Sequence, residues 1–341
     1  MSTCTSDTSY FATPEFLSLS LHSISVIEIP IHIFGAWIIL SYTPSNMSSV
    51  KWPMLNLHFW SSFLDISISL FTIPYVLFPA IAGFPLGVLS GFPSIVGAEC
   101  HMIVTLIGIM VVSMIVVYEN RYFILSRNNG IWKKVRVFYL SGSYFLAATF
   151  MIPFSMMVPE QETARQSVFE RLPCLPKYVR DSPIFVYTLQ PNPVVFAVIF
   201  NCILVLIGIV SFIILTVRNL LQIARKNSTS SRTLSLQRKF LFGLVIQTTI
   251  PFVVIVCPIL YLAVSLPQGY YNQAMNNITF IFFSFHGLLS TIAMLLMHQP
   301  YRKATLSVLI PCCNKNLVDD TVSTTKMPMR PIIIKVESAV N

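Results

Sequence analysis

Glu28 and His32 stand four residues apart in an otherwise uncharged apolar run, around Pro30, so a helix puts both on one face. They can hydrogen-bond one another. A metal site is the sharper alternative, but the sequence identifies no third ligand. Asp65 lies in the middle of a second apolar run. It reads either as a neutral, hydrogen-bonded packing residue or as a sodium- or proton-sensitive switch. A carboxylate at the centre of a bilayer costs about 2.5–3.5 kcal/mol, so such groups face the interior of a bundle. A third apolar run ends in Tyr118-Glu119-Asn120-Arg121-Tyr122. Acid and base two residues apart do not face each other on a helix. Arg121 either snorkels to lipid headgroups or acts as a switch, held by neighbours at rest and freed to dock a partner. No G-x-S-x-G, P-loop, H-E-x-x-H or G-x-G-x-x-G is present, nor a C-x-x-C or Cys/His ligand cluster. The expectation is a non-enzyme without a cofactor or structural metal.

The elements that must position these residues follow from composition. The chain has 341 residues, mean hydropathy +0.72, 55% hydrophobic and only 10% charged residues. Soluble domains carry about 25% charged residues, so the bilayer is the expected solvent. A spanning helix needs roughly 20 apolar residues. Seven stretches qualify, at about 19–42, 55–78, 100–118, 137–158, 193–217, 240–264 and 278–297. The uncharged stretch from Phe240 to Tyr301 is too long for one span, and Leu266-Pro-Gln-Gly divides it. Pro79–Gly97 reads as a loop skirting the membrane. The fold expected is an all-α seven-helix bundle.

Alternate loops differ sharply in charge. The connections after spans one, three and five, together with the tail, hold 18 of the 22 Lys/Arg. By the positive-inside bias the N-terminus (1–18) lies outside and the tail (298–341) is cytoplasmic. Residues 1–18 hold no Lys or Arg, against a cleavable signal. The basic residues form short clusters between apolar runs, which excludes a nucleic-acid surface as the reading of the +9 charge. Arg136, Arg225, Lys226, Arg238 and Lys239 fall in these cytoplasmic connections, where they set topology, touch anionic lipid or meet a protein partner. Asn46, Asn227 and Asn277 head N-x-S/T sequons that are best read as chance matches. Residues 302–310 read as a short interfacial helix, and Cys312 and Cys313 as palmitoylation sites or reduced thiols in an ordinary linker. Pro251 and Pro258 are kink points in the sixth span.

A set of short motifs carries a family resemblance. They are Pro30-Ile-His-Ile-Phe-Gly, Thr43-Pro-Ser-Asn-Met, Val50-Lys51, Leu55-Asn-Leu-His58, Phe63-Leu-Asp65 and Glu119-Asn-Arg-Tyr122. Leu172-Pro-Cys-Leu-Pro176, Ile246-Gln247, Tyr270-Tyr-Asn-Gln273, His286-Gly and His298-Gln-Pro-Tyr-Arg302 follow in order. Together they resemble the nematode serpentine receptors of class H, over roughly residues 14–303. The resemblance implies a chemosensory G-protein-coupled receptor in the plasma membrane of sensory neurons. Its partners would be a small-molecule cue, a heterotrimeric G protein and membrane lipid. Glu119, Arg121 and Tyr122 then become coupling residues, with the cytoplasmic basic residues beside them.

The pattern departs from rhodopsin-like receptors, because Asn120 separates acid from Arg and the last span ends in His298-Gln-Pro-Tyr-Arg. Receptors of this architecture imply a bridge from Cys100 to Cys174 across the outer face; two unpaired cysteines are the alternative. His101, Tyr261, Asn272 and His286 are ligand-pocket candidates by position alone. A seven-span channel subunit is disfavoured because it needs the N-terminus inside. A secondary transporter is disfavoured because no internal repeat is evident.

Overall fold

The computed structural model describes residues 9–126, 130–225 and 230–310. Helix α1 (Pro14–Tyr42) starts where Thr13 accepts the Phe16 amide at 3.2 Å and Pro14 presets the first turn. It ends at extended Thr43, just before Pro44. Helix α2 (Ser48–Ile66) continues as a π-helical turn over Ser67–Thr72. Ile73 then takes a left-handed φ of 42°. The second span therefore stops near residue 72, short of the expected 78. Pro74–Val76 forms strand β1 instead.

β1 pairs antiparallel with β2 (Ile81–Pro85), with Tyr75 opposite Phe84. β2 pairs in turn with β3 (Phe185–Thr188), with a register irregularity at Ile81/Ala82. This three-stranded sheet replaces the loop expected after the second span. Its inner residues Tyr75, Ala82, Phe84 and Val186 pack with Leu17 and Leu21 of α1 into one core. The alternating burial of β2 is the period-2 pattern of a strand with one covered face.

Helix α3 (Val96–Leu125) carries the Glu119–Tyr122 motif in its last turns. The fourth span divides into α4 (Gly130–Thr149) and a short α5 (Ile152–Met156), starting earlier than the expected 137. The following connection holds α6 (Gln161–Arg171) and α7 (Lys177–Arg180) before β3. Helix α8 spans Pro191–Arg225 and α9 spans Ser231–Gln268. Gly269, at φ 61°, stops α9, and the Tyr270 amide reaches back to Ser265 O at 3.0 Å. Helix α10 (Gln273–Ser284) is capped by Asn272 and breaks at Phe285 into α11 (His286–Met297). Helix α12 (Gln299–Leu309) buries Tyr301, Ala304 and Thr305 on the face toward the bundle.

Among the described residues, six helices are long and apolar enough to cross a membrane: Pro14–Tyr42, Val96–Leu125, Gly130–Met156, Pro191–Arg225, Ser231–Pro258 and Gln273–Met297. The outside of the bundle is apolar, and ionisable and amide side chains are held within it. Phe138, Phe145, Phe196, Phe200 and Ile207 are exposed, whereas Glu28, Asp65, Glu119, His286 and Asn276 are buried. That inversion suits a chain whose surroundings are hydrocarbon. Two helix prolines show how it is managed. Pro53 lacks the amide that would bond Ser49 O, and Asn120 Nδ2 donates to that carbonyl at 3.0 Å. Pro251 likewise frees Gln247 O, which lies 3.5 Å from Ser290 Oγ of α11.

Candidate functional site

Three sets of residues stand out, and the first is a polar cluster where α1, α2 and α11 meet. Glycines allow the approach. A Cβ on Gly35 would lie 2.8 Å from Thr291 Cγ2, and one on Gly287 would strike the Asp65 carboxylate. Asp65 is fully buried, with Oδ1 accepting from Gly287 N at 3.2 Å and Oδ2 from Leu288 N at 2.8 Å. His286 Nδ1 lies 2.6 Å from Oδ1, and His32 Nε2 3.3 Å from Oδ2. The break between α10 and α11 frees those amides to point at the carboxylate, in the manner of a helix N-terminus holding an anion.

Glu28 does not hydrogen-bond His32 here. Its Oε1 accepts from Ser69 Oγ of the π turn, while His32 Nδ1 sits 3.2 Å from Thr291 Oγ1. The cross-helix partners win because both side chains point into the α1–α2–α11 seam. One potential ligand atom each from Glu28, His32 and Asp65 lies within 4.8 Å of the other two, so Asp65 stands where the sequence offered no third donor. His58, read from the sequence only as part of a family motif, donates from Nε2 to His32 O at 2.9 Å. The signal for it was its place seven residues before Asp65, on the same helix face.

The second set lies at the α12 end of the bundle. Glu119 is not paired with Arg121. It accepts from Arg136 Nη2 at 2.7 Å and from Trp132 Nε1 at 2.8 Å, both on α4. Arg121 is only 6% exposed and reaches α9, with Nη1 3.3 Å from Gln237 Oε1 and Cζ 3.4 Å from the Phe240 ring centroid. A desolvated cation–π contact of this kind is worth about 2 kcal/mol. Tyr122 packs against Trp132 and Phe212. Behind Phe240, His298 packs with its ring centroid 4.7 Å away and tilted, and meets Gln247 Oε1 at 3.2 Å. Arg225, Arg238 and Lys239 are exposed at the facing ends of α8 and α9. Lys226 lies outside the described residues.

The third set is a cavity of about 590 Å³ between α3, α4, α8 and the sheet. Ile103, Ile107, Val111, Phe150, Phe185 and Phe283 are among the apolar residues of its wall. Glu99 lines it too, buried, with Oε1 lacking a hydrogen-bond partner among the described residues. None of the four residues expected in a ligand pocket lines it. His101 bonds Ser155 Oγ at 2.8 Å, and Tyr261 bonds Asn276 Oδ1 at 2.7 Å. Asn272 caps α10 through Met275 N, and His286 faces Asp65. Position along a helix does not reveal which way a side chain turns.

The expected Cys100–Cys174 bridge is absent. Cys100 carries a free thiol and packs with Met151, Tyr187 and Val194 on the cavity side of α3. Cys174 is disulfide-bonded, and since Cys100, Cys202 and Cys257 are free, its partner lies outside the described residues. Cys312, Cys313, Asn227 and the tail from Asn314 also lie outside them. Asn277 is buried, holding Phe11 O at 2.9 Å, which agrees with reading its sequon as chance.

An Arg buried at the end of a long apolar helix, apolar helices enclosing buried polar clusters and a cavity within the bundle are features of a membrane receptor. Residues 12–311 match the family model described as serpentine type 7TM GPCR chemoreceptor Srh. The chain belongs to this family. It is a multi-pass membrane protein of a receptor family rather than an enzyme family. The serpentine receptor class H-72 of Caenorhabditis elegans is 26% identical to it over 336 residues, covering 94% of this chain and 93% of the relative. The ordered motifs that carry the class H resemblance thus mark a real relationship. Several of them, His58, Asn120, Gln247, His286 and His298 among them, supply the interhelical polar contacts described above.

Proposed function

We propose that this serpentine receptor binds an external small-molecule cue in the cavity beside Glu99 and activates a heterotrimeric G protein at the α12 end. In this reading the chain makes seven spans, α2 with its π turn being the seventh. The N-terminus faces outward and α12 lies on the cytoplasmic face against lipid, in the plasma membrane of a chemosensory neuron and its cilia. The observation that carries the proposal is Arg121 lodged against Gln237 and Phe240 of α9 while Glu119 is engaged from α4. Such an Arg keeps α3 and α9 together at rest. Moving α9 outward releases it, and exposes Tyr122 and the basic ends of α8 and α9, Arg225, Lys226, Arg238 and Lys239, to a partner. The Asp65 cluster, with Glu28 and His32, is the intramembrane switch that biases α11 against α1 and α2.

The cavity supports an apolar cue carrying one hydrogen-bond donor or cationic group for Glu99 Oε1. A cue shifts the equilibrium only through its differential affinity for the two arrangements.

The experiment needs no cue. Wild type and Phe240→Ala are expressed with a panel of heterotrimeric G proteins, and basal nucleotide exchange is measured. Loss of about 2 kcal/mol from the resting state raises the active fraction up to about thirtyfold. The expected result is increased basal exchange in Phe240→Ala, abolished in Phe240→Ala with Arg121→Ala. Equal exchange in all three, at equal surface expression, removes the coupling role of Arg121.

A further inference from the structure

The hydrogen bonds around His32 limit where its proton can sit. His58 Nε2 must donate to His32 O at 2.9 Å, because a carbonyl only accepts. A neutral His58 therefore offers Nδ1 as an acceptor, 3.4 Å from Thr291 Oγ1. The single Thr291 hydroxyl proton can go to that nitrogen or to Gly287 O at 2.8 Å. With the proton on either of these, His32 Nδ1 is the donor in its 3.2 Å contact with Thr291; with the Thr291 proton given to His32 Nδ1, His32 Nε2 carries the proton toward Asp65 instead. In the first arrangement Nε2 of a neutral His32 turns a bare lone pair toward Asp65 Oδ2 at 3.3 Å; in the second the Nε2 proton lies between the two.

One further electron-pair donor joins them. Glu28 Oε2 is buried and has no hydrogen-bond partner among the described residues, and its side chain is fully enclosed. His286 Nδ1 faces two acceptors, Asp65 Oδ1 and Phe283 O, so it carries the proton and holds the Asp65 carboxylate in place. Lone pairs of a nitrogen and two carboxylates thus converge, all three residues buried, with something positive required between them. A single proton answers only the His32–Asp65 contact and leaves Glu28 Oε2 without a partner. A dication answers all three and balances the two carboxylates, which in low dielectric are costly uncompensated.

We propose that Glu28, His32 and Asp65 bind a divalent first-row transition-metal ion, of the zinc type, between α1 and α2. One imidazole nitrogen with two carboxylate oxygens is a donor set for such ions, whereas magnesium and calcium favour oxygen alone. Metal–ligand bonds of about 2.0–2.1 Å place tetrahedral ligands roughly 3.3 Å apart. The three donor atoms, within 4.8 Å of one another, reach that by side-chain rotation. His286 and the Gly287 amide, on Asp65 Oδ1, and Thr291, on His32 Nδ1, are the outer partners that orient the ligands. Binding displaces any proton shared between His32 and Asp65, so the ion and the proton compete for one place. The site deepens the switch in the proposed function, but binding itself does not depend on G-protein coupling.

The test uses the full-length chain purified in detergent without a polyhistidine tag. The protein is stripped with chelator, dialysed against micromolar Zn²⁺ and assayed for metal per chain, with melting followed alongside. The expected result is one Zn²⁺ per chain, a melting temperature raised by Zn²⁺, and at least tenfold weaker binding in both Glu28→Gln and His32→Gln. Cys257→Ser, remote from the cluster, should bind as wild type. Co²⁺ in place of Zn²⁺ should give visible absorption bands of a low-coordinate nitrogen and oxygen site in the wild type. If the variants do not fold, the wild-type stoichiometry and Co²⁺ spectrum decide alone. Substoichiometric Zn²⁺, a Co²⁺ spectrum identical to that of the hexa-aqua ion, or wild-type affinity in Glu28→Gln and His32→Gln would each overturn the site. A receptor that binds Zn²⁺ yet fails to couple would sink the proposed function and leave this one standing.

Discussion

Gly287 shows how one missing carbon governs the interior. Its amide donates to Asp65 Oδ1 at 3.2 Å, and a Cβ would collide with the same carboxylate and come within 2.8 Å of Ser61 Oγ. Gly287→Ala therefore pushes α11 away from α2 or forces Asp65 out of its hydrogen bonds. Overpacking of this sort costs about 1–3 kcal/mol, and the lost bonds to a buried charge add to it. Thermal unfolding in detergent should register a clear fall in melting temperature for Gly287→Ala. Gly142→Ala, whose Cβ would meet nothing within 4 Å, should register none. The His-Gly pair at 286–287 was legible as a motif. Its geometric reason was not, because the carboxylate it accommodates lies 222 residues away in the chain.

At the scale of elements, α6 depends on a titratable cap. Glu160 accepts from the Glu162 and Thr163 amides at 3.3 and 3.1 Å and from the Thr163 hydroxyl. The Thr163 hydroxyl and amide hold the Glu160 carboxyl below its usual value of 4.5. Because the folded value is depressed, the cap stabilises α6 fully above the unfolded pKa and is lost as pH falls through the folded one. Amide exchange at Thr163 and Ala164 should accelerate in that acidic window, after correction for the intrinsic pH dependence of exchange. Glu160→Gln should remove the window. The cap was hidden in the sequence, where Pro159–Gln190 reads only as a long loop. The same segment contributes β3, which joins β1 and β2 from about a hundred residues earlier. No local pattern predicts that pairing, since a sheet of such short strands exists only once the bundle brings its ends together.

For the whole molecule, the arrangement of charge makes the orientation testable. Arg121, Arg136, Arg225 and Arg238 gather at the end that carries α12, opposite the sheet. With 18 of 22 Lys/Arg assigned to that side, an N-terminal epitope should stain on intact cells and a C-terminal one only after permeabilisation. The reverse pattern would overturn the orientation and with it the outward-facing cavity.

Composition and hydropathy by themselves determined that this is a multi-pass helical membrane chain. They also located most helices, because a long uncharged apolar run has no other stable form in a bilayer. The motif order identified its relatives. Tertiary structure alone decided which polar residues meet. Glu28 turned from His32 to Ser69, Glu119 took Arg136 and Trp132 of α4, and Arg121 lodged against α9. It also left Cys100 a free thiol and drew the cavity around Glu99 rather than around the residues expected to line it. The physical reason is one of range. Burial in lipid acts on each stretch of chain locally and can be read residue by residue. Hydrogen-bond partners in a bundle are chosen by the rotation and spacing of helices, and these are set by contacts among residues hundreds of positions apart.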